Sequence, residues 1–115
     1  VTCVDVVTGS TVWQTRLHGR VEGPAAISAG GRIVIVGTYG NVCYLLDVLS
    51  GRVMSRVHVA DACKGGAYVH TASNTMYLGS HDGHVRQVCL CDPALYTHTH
   101  APVASTRTQS NACIG

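Results

Sequence analysis

Short apolar runs separated by turn residues dominate positions 1–90 of this chain. One run begins at Ile33 with four consecutive aliphatic residues, and such a continuous run predicts a strand that is buried on both faces. A turn at Thr38–Asn41 follows, and Val42–Asp47 predicts the returning strand of a hairpin. The next run, Arg52–Val59, alternates and predicts an outer strand with one solvated face. We expect the buried face to carry Val53, Ser55, Val57 and Val59.

The same pattern recurs along the chain at a regular interval, which lies in the range typical of repeat architectures. The turn at Asp5–Gly9 reappears at Asp47–Gly51, and the strand ending at Gly37 reappears as a strand ending at Gly79. A repeat of this kind predicts identical local structures at equivalent positions. The residues that define the repeat are Asp5, Thr8, Gly9, Trp13, Gly37, Gly40, Asp47, Ser50, Gly51, Gly79, Asp82 and Gly83.

The third copy carries Asp82-Gly83, which is a strong signal for a hairpin turn. Matching Gly83 with Gly40 gives a spacing one position longer than that between Asp5 and Asp47. We therefore expect one extra residue in the second hairpin loop.

Four short strands in each repeat of this length are typical of a β-propeller blade, whose two faces are covered by neighbouring blades. The sequence predicts an all-β fold of about two four-stranded antiparallel blades. Residues 1–22 provide the last two strands of one blade, 23–60 a complete blade, 61–90 three strands of the next, and 91–115 an irregular or disordered tail. The chain starts inside a repeat, so we expect a fragment with exposed blade faces and low stability by itself.

Charge and hydropathy limit the classes of partner that we expect for the chain. The net charge of the 115 residues is +2, and the eight Lys and Arg residues are scattered, which argues against a nucleic-acid partner. No apolar run approaches the roughly 18 to 20 residues that a membrane span needs, so we expect no membrane partner.

The six cysteines lack the paired spacing of a zinc site. Cys3 and Cys43 lie in apolar strands, where free thiols in a reducing, cytoplasmic compartment fit best, although a disulfide between distant repeats remains an alternative. Cys89 and Cys91 lie on one face if they share a strand, so they are either two buried thiols or a redox pair.

A second candidate for chemistry is the set His81, Asp82 and His84, because imidazole and carboxylate groups bind metals. Asp82 is needed for the turn, however, and three ligands on one hairpin leave a metal site incomplete. Ser80 beside His81 and Asp82 does not make a catalytic triad, because the three groups must converge in space. We therefore predict no catalytic, cofactor or metal residue, and polar turn residues instead.

The motif Asp5-x-x-Thr8-Gly9-x-x-x-Trp13 resembles the pyrroloquinoline-quinone-type (PQQ-like) repeat of β-propellers. The resemblance implies that the tryptophan docks between blades. Ser55 stands at the tryptophan position of the second copy, so we expect weaker packing there. Quinone-dependent relatives have a calcium site and often adjacent cysteines, whereas Leu90 separates Cys89 from Cys91, and we expect no bound quinone.

Residues 1–88 also resemble the C-terminal propeller of the beta-alanine-activating branch of the acyl-CoA synthetase family. The stretches that carry this resemblance are VDVVTGSTVWQTRLHGRVEG, IVIVGTYGNVCYLLD and MYLGSHDGHV. It implies a non-catalytic propeller within an ATP-dependent acid-thiol ligase that loads beta-alanine on a phosphopantetheine carrier. The implied partners are the remaining blades and a protein or acyl acceptor. One alternative is a piece of a PQQ-dependent oxidoreductase. Another is a scaffold like the bacterial outer-membrane assembly propeller, against which the unpaired cysteines argue.

Overall fold

The computed structural model describes residues 1–90 and the backbone of Val103–Ala104. The described chain is built of strands, and it contains no helix long and apolar enough to cross a membrane. The strands are β1 (Thr2–Val4), β2 (Thr11–Gln14), β3 (Ala26–Ile27), β4 (Ile33–Gly37), β5 (Val42–Asp47), β6 (Val53–His58), β7 (Ala67–His70), β8 (Thr75–Gly79), β9 (His84–Cys89) and β10 (Val103–Ala104).

The strands form three antiparallel sheets, which we name blades A, B and C. Blade A pairs β1 with β2, blade B has the order β3-β4-β5-β6, and blade C has the order β10-β9-β8-β7. The predicted all-β architecture of antiparallel blades is confirmed.

Blade C differs from its sequence prediction in one strand. Three strands were expected before an irregular tail at 91–115, but Val103 pairs with Val85 and Ala104 with His84, which adds β10 as a fourth strand. The pairing is too short for the apolar pattern to reveal it. The rest of that tail lies outside the described residues.

The expectation of an extra residue in the second hairpin loop is wrong. Gly37 pairs with Cys43, and one repeat later Gly79 pairs with Val85, so both loops have the same length. Gly83 is equivalent to Asn41, and both have a positive φ, of 82° and 62°. The loop needs a left-handed residue at that position, and asparagine adopts this conformation more readily than most residues do.

A bulge at the same place in blades A and B alters the predicted face of the outer strand. Met54 is the extra residue of β6, as Val12 is of β2, because the register shifts between neighbouring pairs in both. Val53 therefore packs on the opposite face from Val57. The expectation that Val53 and Val57 share a face is wrong, since a bulge breaks the alternation of a strand.

Two hydrophobic clusters fill the spaces between blades. Val34, Val36, Tyr44 and Leu46 of blade B face blade A, where Trp13 and Leu17 pack against them. The opposite face of blade B packs against blade C, with members Ile33, Ile35, Cys43, Leu45, Val57, Val59, Cys63, Met76, Leu78, Val88 and Leu90. All five residues of β4 are buried, as its continuous apolar run predicts.

Candidate interaction surface

The Asp5–Gly9 and Asp47–Gly51 turns are built alike around a carboxylate. Asp5 Oδ1 accepts hydrogen bonds from the amides of Val7 at 2.8 Å and Thr8 at 3.1 Å. These bonds, that of Thr8 first, lower the pKa of the Asp5 carboxyl. The Gly9 amide closes the turn on the Asp5 carbonyl oxygen at 2.7 Å. The carboxylate therefore shapes the turn of blade A.

In the second copy the Ser50 hydroxyl donates to Asp47 Oδ2 at 2.7 Å, and this bond is the main cause of the lowered pKa of Asp47. The Gly51 amide again closes the turn, at 2.8 Å from the Asp47 carbonyl oxygen. Thr8 and Ser50 each accept a hydrogen bond from the amide two residues later. Turn-forming roles account for all of these side chains.

Trp13 connects blade A to the turn of blade B. Its Nε1 donates to the Val48 carbonyl oxygen at 2.9 Å, and the Thr15 hydroxyl donates to the Gly51 carbonyl oxygen at 2.6 Å. A side chain at Gly51 would overlap the Trp13 ring, and its φ of +73° is also unfavourable for other residues. Gly51 is thus required both by its conformation and by the indole that covers it.

Gly37 and Gly40 lie where other segments cross blade B. A Cβ atom at Gly37 would be 2.8 Å from Cys63 Cβ, and one at Gly40 would be 2.7 Å from the His18 ring. At Gly79, the equivalent of Gly37 in blade C, such an atom would meet nothing within 4 Å among the described residues. The absence of a side chain at these two glycines therefore leaves room for the connections between blades to pack against blade B.

Asp82 belongs to an ion-pair network. Its carboxylate is 2.9 Å from Arg86 Nη2, and it accepts hydrogen bonds from the Ser80 hydroxyl and the His84 amide. These partners, Arg86 first, hold the pKa of Asp82 well below its usual range. His84 Nδ1 lies 3.4 Å from Asp82, whereas the His81 amide is bonded to the Ala62 carbonyl oxygen.

No group of three or more His, Cys, Asp and Glu side chains suited to a metal ion occurs in the part of the chain that the structure describes. The Asp82 carboxylate instead forms an ion pair with Arg86, whose side chain is buried at 7% exposure. Arg86 occupies the position of Tyr44 in the repeat, and Tyr44 faces the preceding blade. The structure therefore places Asp82 in the contact between blades B and C.

The cysteines differ in state. Cys3, Cys43 and Cys63 are free thiols. Burial raises the pKa of Cys43, and it raises the pKa of Cys63 to about 11. Cys89 is disulfide-bonded, so its interpretation as a thiol is wrong.

Sequence patterns did not reveal a cluster of charged side chains around Tyr39. It lies at the end of the sheets that carries residues 18–24, 38–41, 60–66 and 80–83, which we call the loop face. Arg20 and Lys64 lie 4.7 and 4.8 Å from the centre of the Tyr39 ring. Glu22 is 2.7 Å from Arg20 and accepts a hydrogen bond from the Tyr39 hydroxyl. The arrangement joins two connections between blades and one hairpin loop.

One signal in the sequence could have pointed to this cluster. Glu22 and Lys64 are one full repeat apart and therefore occupy one position of the repeat with opposite charges. Both approach Tyr39, which donates its own amide to the Arg20 carbonyl oxygen at 2.9 Å. Periodicity alone does not show that residues of successive repeats meet at one ring.

Comparisons with known proteins identify the fold. No protein-family model matches the chain, and no curated protein matches it. The crystal structure of BamB from Moraxella catarrhalis is similar, with a TM-score of 0.68 at 19% sequence identity over 86% of this chain. The chain spans 29% of the length of that BamB chain. The described residues are therefore part of a PQQ-like β-propeller.

Proposed function

We propose that this chain is a non-catalytic segment of a propeller and that it recognises or scaffolds a protein or acyl-acceptor partner through the loop face. The observation that carries this proposal is the Tyr39 cluster. Its two cations are exposed together with a carboxylate, and the Arg20 side chain is 68% accessible. Arginine and tyrosine are common among the residues that anchor protein partners.

The titratable groups support a structural role for the rest of the described chain. Asp5, Asp47 and Asp82 have lowered pKa values because turn amides, hydroxyl groups or Arg86 bind their carboxylates. Burial makes the thiols of Cys43 and Cys63 weaker acids and thus poor nucleophiles at neutral pH. Each shift follows from the fold without a catalytic task.

Further blades are proposed as the first partners of the chain. Leu46 is fully buried at the contact with blade A, whereas its equivalent Val4 is 48% exposed. Gly51 is covered by Trp13, whereas Gly9, with the same φ of +73°, meets nothing within 4 Å. A preceding blade with a tryptophan in its outer strand would cover Val4 and Gly9 as blade A covers Leu46 and Gly51.

The parent of this segment is proposed to be an adenylate-forming ligase that loads beta-alanine on a phosphopantetheine carrier. The support is the resemblance of the three stretches quoted above, together with the PQQ-like fold of this chain. In such a parent the loop face would receive the carrier or the acceptor of the acyl group.

The test uses the complete parent protein. Thioester formation from ATP and beta-alanine is measured separately from transfer of the acyl group to its acceptor. We expect Tyr39→Ala with Lys64→Ala to leave thioester formation unchanged and to slow transfer several-fold, because truncating an anchoring side chain of an interface costs about 1–2 kcal/mol of partner binding. Arg32→Ala is the matched control, since Arg32 is an exposed cation at the opposite end of blade B.

Two outcomes would contradict different parts of the proposal. A parent that forms no beta-alanine thioester contradicts the ligase assignment alone. Recognition by the loop face is then tested in the parent by a photoreactive residue that replaces either Lys64 of the loop face or Arg32 at the opposite end of blade B. Equal crosslinking of partners from both positions contradicts a role of the loop face.

A further inference from the structure

Two free thiols, Cys43 and Cys63, are buried in the same hydrophobic cluster beneath the loop face. Cys43 pairs directly with Gly37 across β4 and β5, and the side chains of opposite residues point to the same face of a sheet. That face is the one that packs against blade C, and both Cys43 and Cys63 belong to its cluster. The two residues come from different segments, a central strand and the connection from blade B to blade C.

Gly37 is what brings the two cysteines together. A Cβ atom at Gly37 would be only 2.8 Å from Cys63 Cβ, so Cys63 occupies the space that a side chain opposite Cys43 would otherwise fill. The Cβ atoms of directly opposite residues are about 4.5–5.5 Å apart. A disulfide needs a Cβ separation of about 3.5–4.5 Å, so closing the bond requires only a small backbone shift of the connection that carries Cys63.

The backbone fixes Cys63 at this place. Its amide donates to the Thr38 carbonyl oxygen at 3.1 Å, and the Val59 amide donates to the Asn41 carbonyl oxygen at 3.0 Å. The connection therefore runs along the hairpin loop that follows Gly37. Cys43 and Cys63 are 0% and 1% exposed, so a reagent reaches them only when this connection opens.

We propose that Cys43 and Cys63 form a dithiol site that a low-molecular-weight disulfide oxidises to an intrachain disulfide. The Cys63 thiolate attacks the reagent, whose sulfur–sulfur bond breaks and releases one thiol. Cys43 then attacks the mixed disulfide and releases the second thiol. The protein loses two protons and two electrons, and the reagent becomes two thiols.

The bond would tie the connection that carries Lys64 to the central strands of blade B. Lys64 follows Cys63 directly and lies against the Tyr39 ring, so oxidation would hold one cation of the loop face in place. The disulfide itself depends only on the fold, whereas this consequence rests on the proposed function. Peptide mapping tests the bond without any partner.

The full 115-residue chain is reduced, transferred to native buffer and treated with oxidised glutathione. Trypsin separates the cysteines, because Cys43 falls in peptide 33–52, Cys63 in 57–64 and Cys3 in 1–16. We expect the link between 33–52 and 57–64 to exceed its yield in urea several-fold. The link should form more than about 10-fold faster at pH 9 than at pH 7, because the thiolate that attacks the reagent is the minor form of an exposed cysteine at neutral pH.

Cys43→Ala separates proximity from mere reactivity. This variant should accumulate the glutathione adduct of Cys63, which wild type converts to the intrachain bond. A native wild-type chain that stops at the Cys63 adduct would overturn the proposal. So would a 43–63 link no more abundant in native buffer than in urea, a result that does not depend on whether the variant folds.

Discussion

The contact between blades A and B and the contact between blades B and C use equivalent positions of the repeat but different side chains. In the first, Trp13 covers Gly51 and bonds Val48. In the second, Ser55 replaces the tryptophan, is 5% exposed, and has no hydrogen-bond partner for its hydroxyl among the described residues. The contact between blades A and B is therefore held by an indole side chain, whereas the contact between blades B and C has no such side chain at the equivalent position.

Polar groups take over part of the task between blades B and C. Asn74 Oδ1 accepts a hydrogen bond from the Ala29 amide of blade B at 3.1 Å, while its Nδ2 donates to the Leu90 carbonyl oxygen at 3.0 Å. Arg86 stands where Tyr44 accepts the His18 amide in the other contact. The same repeat thus tolerates an aromatic and a polar solution, provided that the backbone register is kept.

The largest effect is expected at Gly51. Gly51→Ala forces a non-glycine residue to a φ of +73° and pushes a methyl group into the Trp13 ring. Left-handed strain of about 1–2 kcal/mol and overpacking of about 1–3 kcal/mol should lower the free energy of unfolding in urea by about 4 kcal/mol. Gly9→Ala is the matched control, because it has the same φ but nothing within 4 Å, and should cost about 1–2 kcal/mol. Equal losses of stability in the two variants would mean that the Trp13 ring moves away from the added methyl group without an energetic penalty.

Truncating Trp13 itself should lower the free energy of unfolding slightly less than Gly51→Ala does. Trp13→Ala removes a half-buried indole and its hydrogen bond to Val48, and we expect a loss of about 3 kcal/mol in the free energy of unfolding. Ser55→Ala at the equivalent position removes a buried hydroxyl that has no partner in the described chain, so stability should stay within about 0.5 kcal/mol or rise. A large loss for Ser55→Ala would show that the hydroxyl is bonded.

A pair of asparagines gives the next smaller effect, with opposite signs. Asn41 and Asn74 both have a positive φ, of 62° and 47°, which glycine adopts without strain. Asn41→Gly should raise the free energy of unfolding by up to about 1 kcal/mol. Asn74→Gly should lower it by about 1 kcal/mol, because the side-chain bonds to Ala29 and Leu90 are lost. If both variants were stabilised, the Asn74 bonds would not hold blades B and C together.

The contrast between these contacts also shows what the sequence could reveal. The apolar runs and the Asp5–Gly9 turn predict strands, blades and period, because burial on both faces and left-handed glycines leave local signals. The equivalence of Gly83 with Asn41 could not be predicted, since both glycine and asparagine adopt the left-handed conformation that this loop position needs. The Tyr39 cluster escaped for another reason, because Arg20 and Lys64 meet it only after successive repeats pack.

The smallest expected effect is a change in the pH dependence of stability. Arg86 and Ser80 lower the pKa of the Asp82 carboxyl in the folded state, so this group contributes stability above the unfolded pKa of about 3.9. That contribution is lost as the pH falls through the lower folded-state pKa. Asp82→Asn lacks it at every pH, so the difference in unfolding free energy between wild type and variant should narrow steadily below about pH 4.

Asp5→Asn provides the control for this titration, because Asp5 also has a lowered pKa but shapes a turn of blade A. Amide exchange of His81, whose N–H binds the Ala62 carbonyl oxygen, reports on the contact with blade C. Acid should accelerate it, relative to unfolded-chain rates, in wild type and in Asp5→Asn, but less in Asp82→Asn, which is already weakened. Equal acceleration in all three chains would mean that the Asp82–Arg86 pair does not join blades B and C.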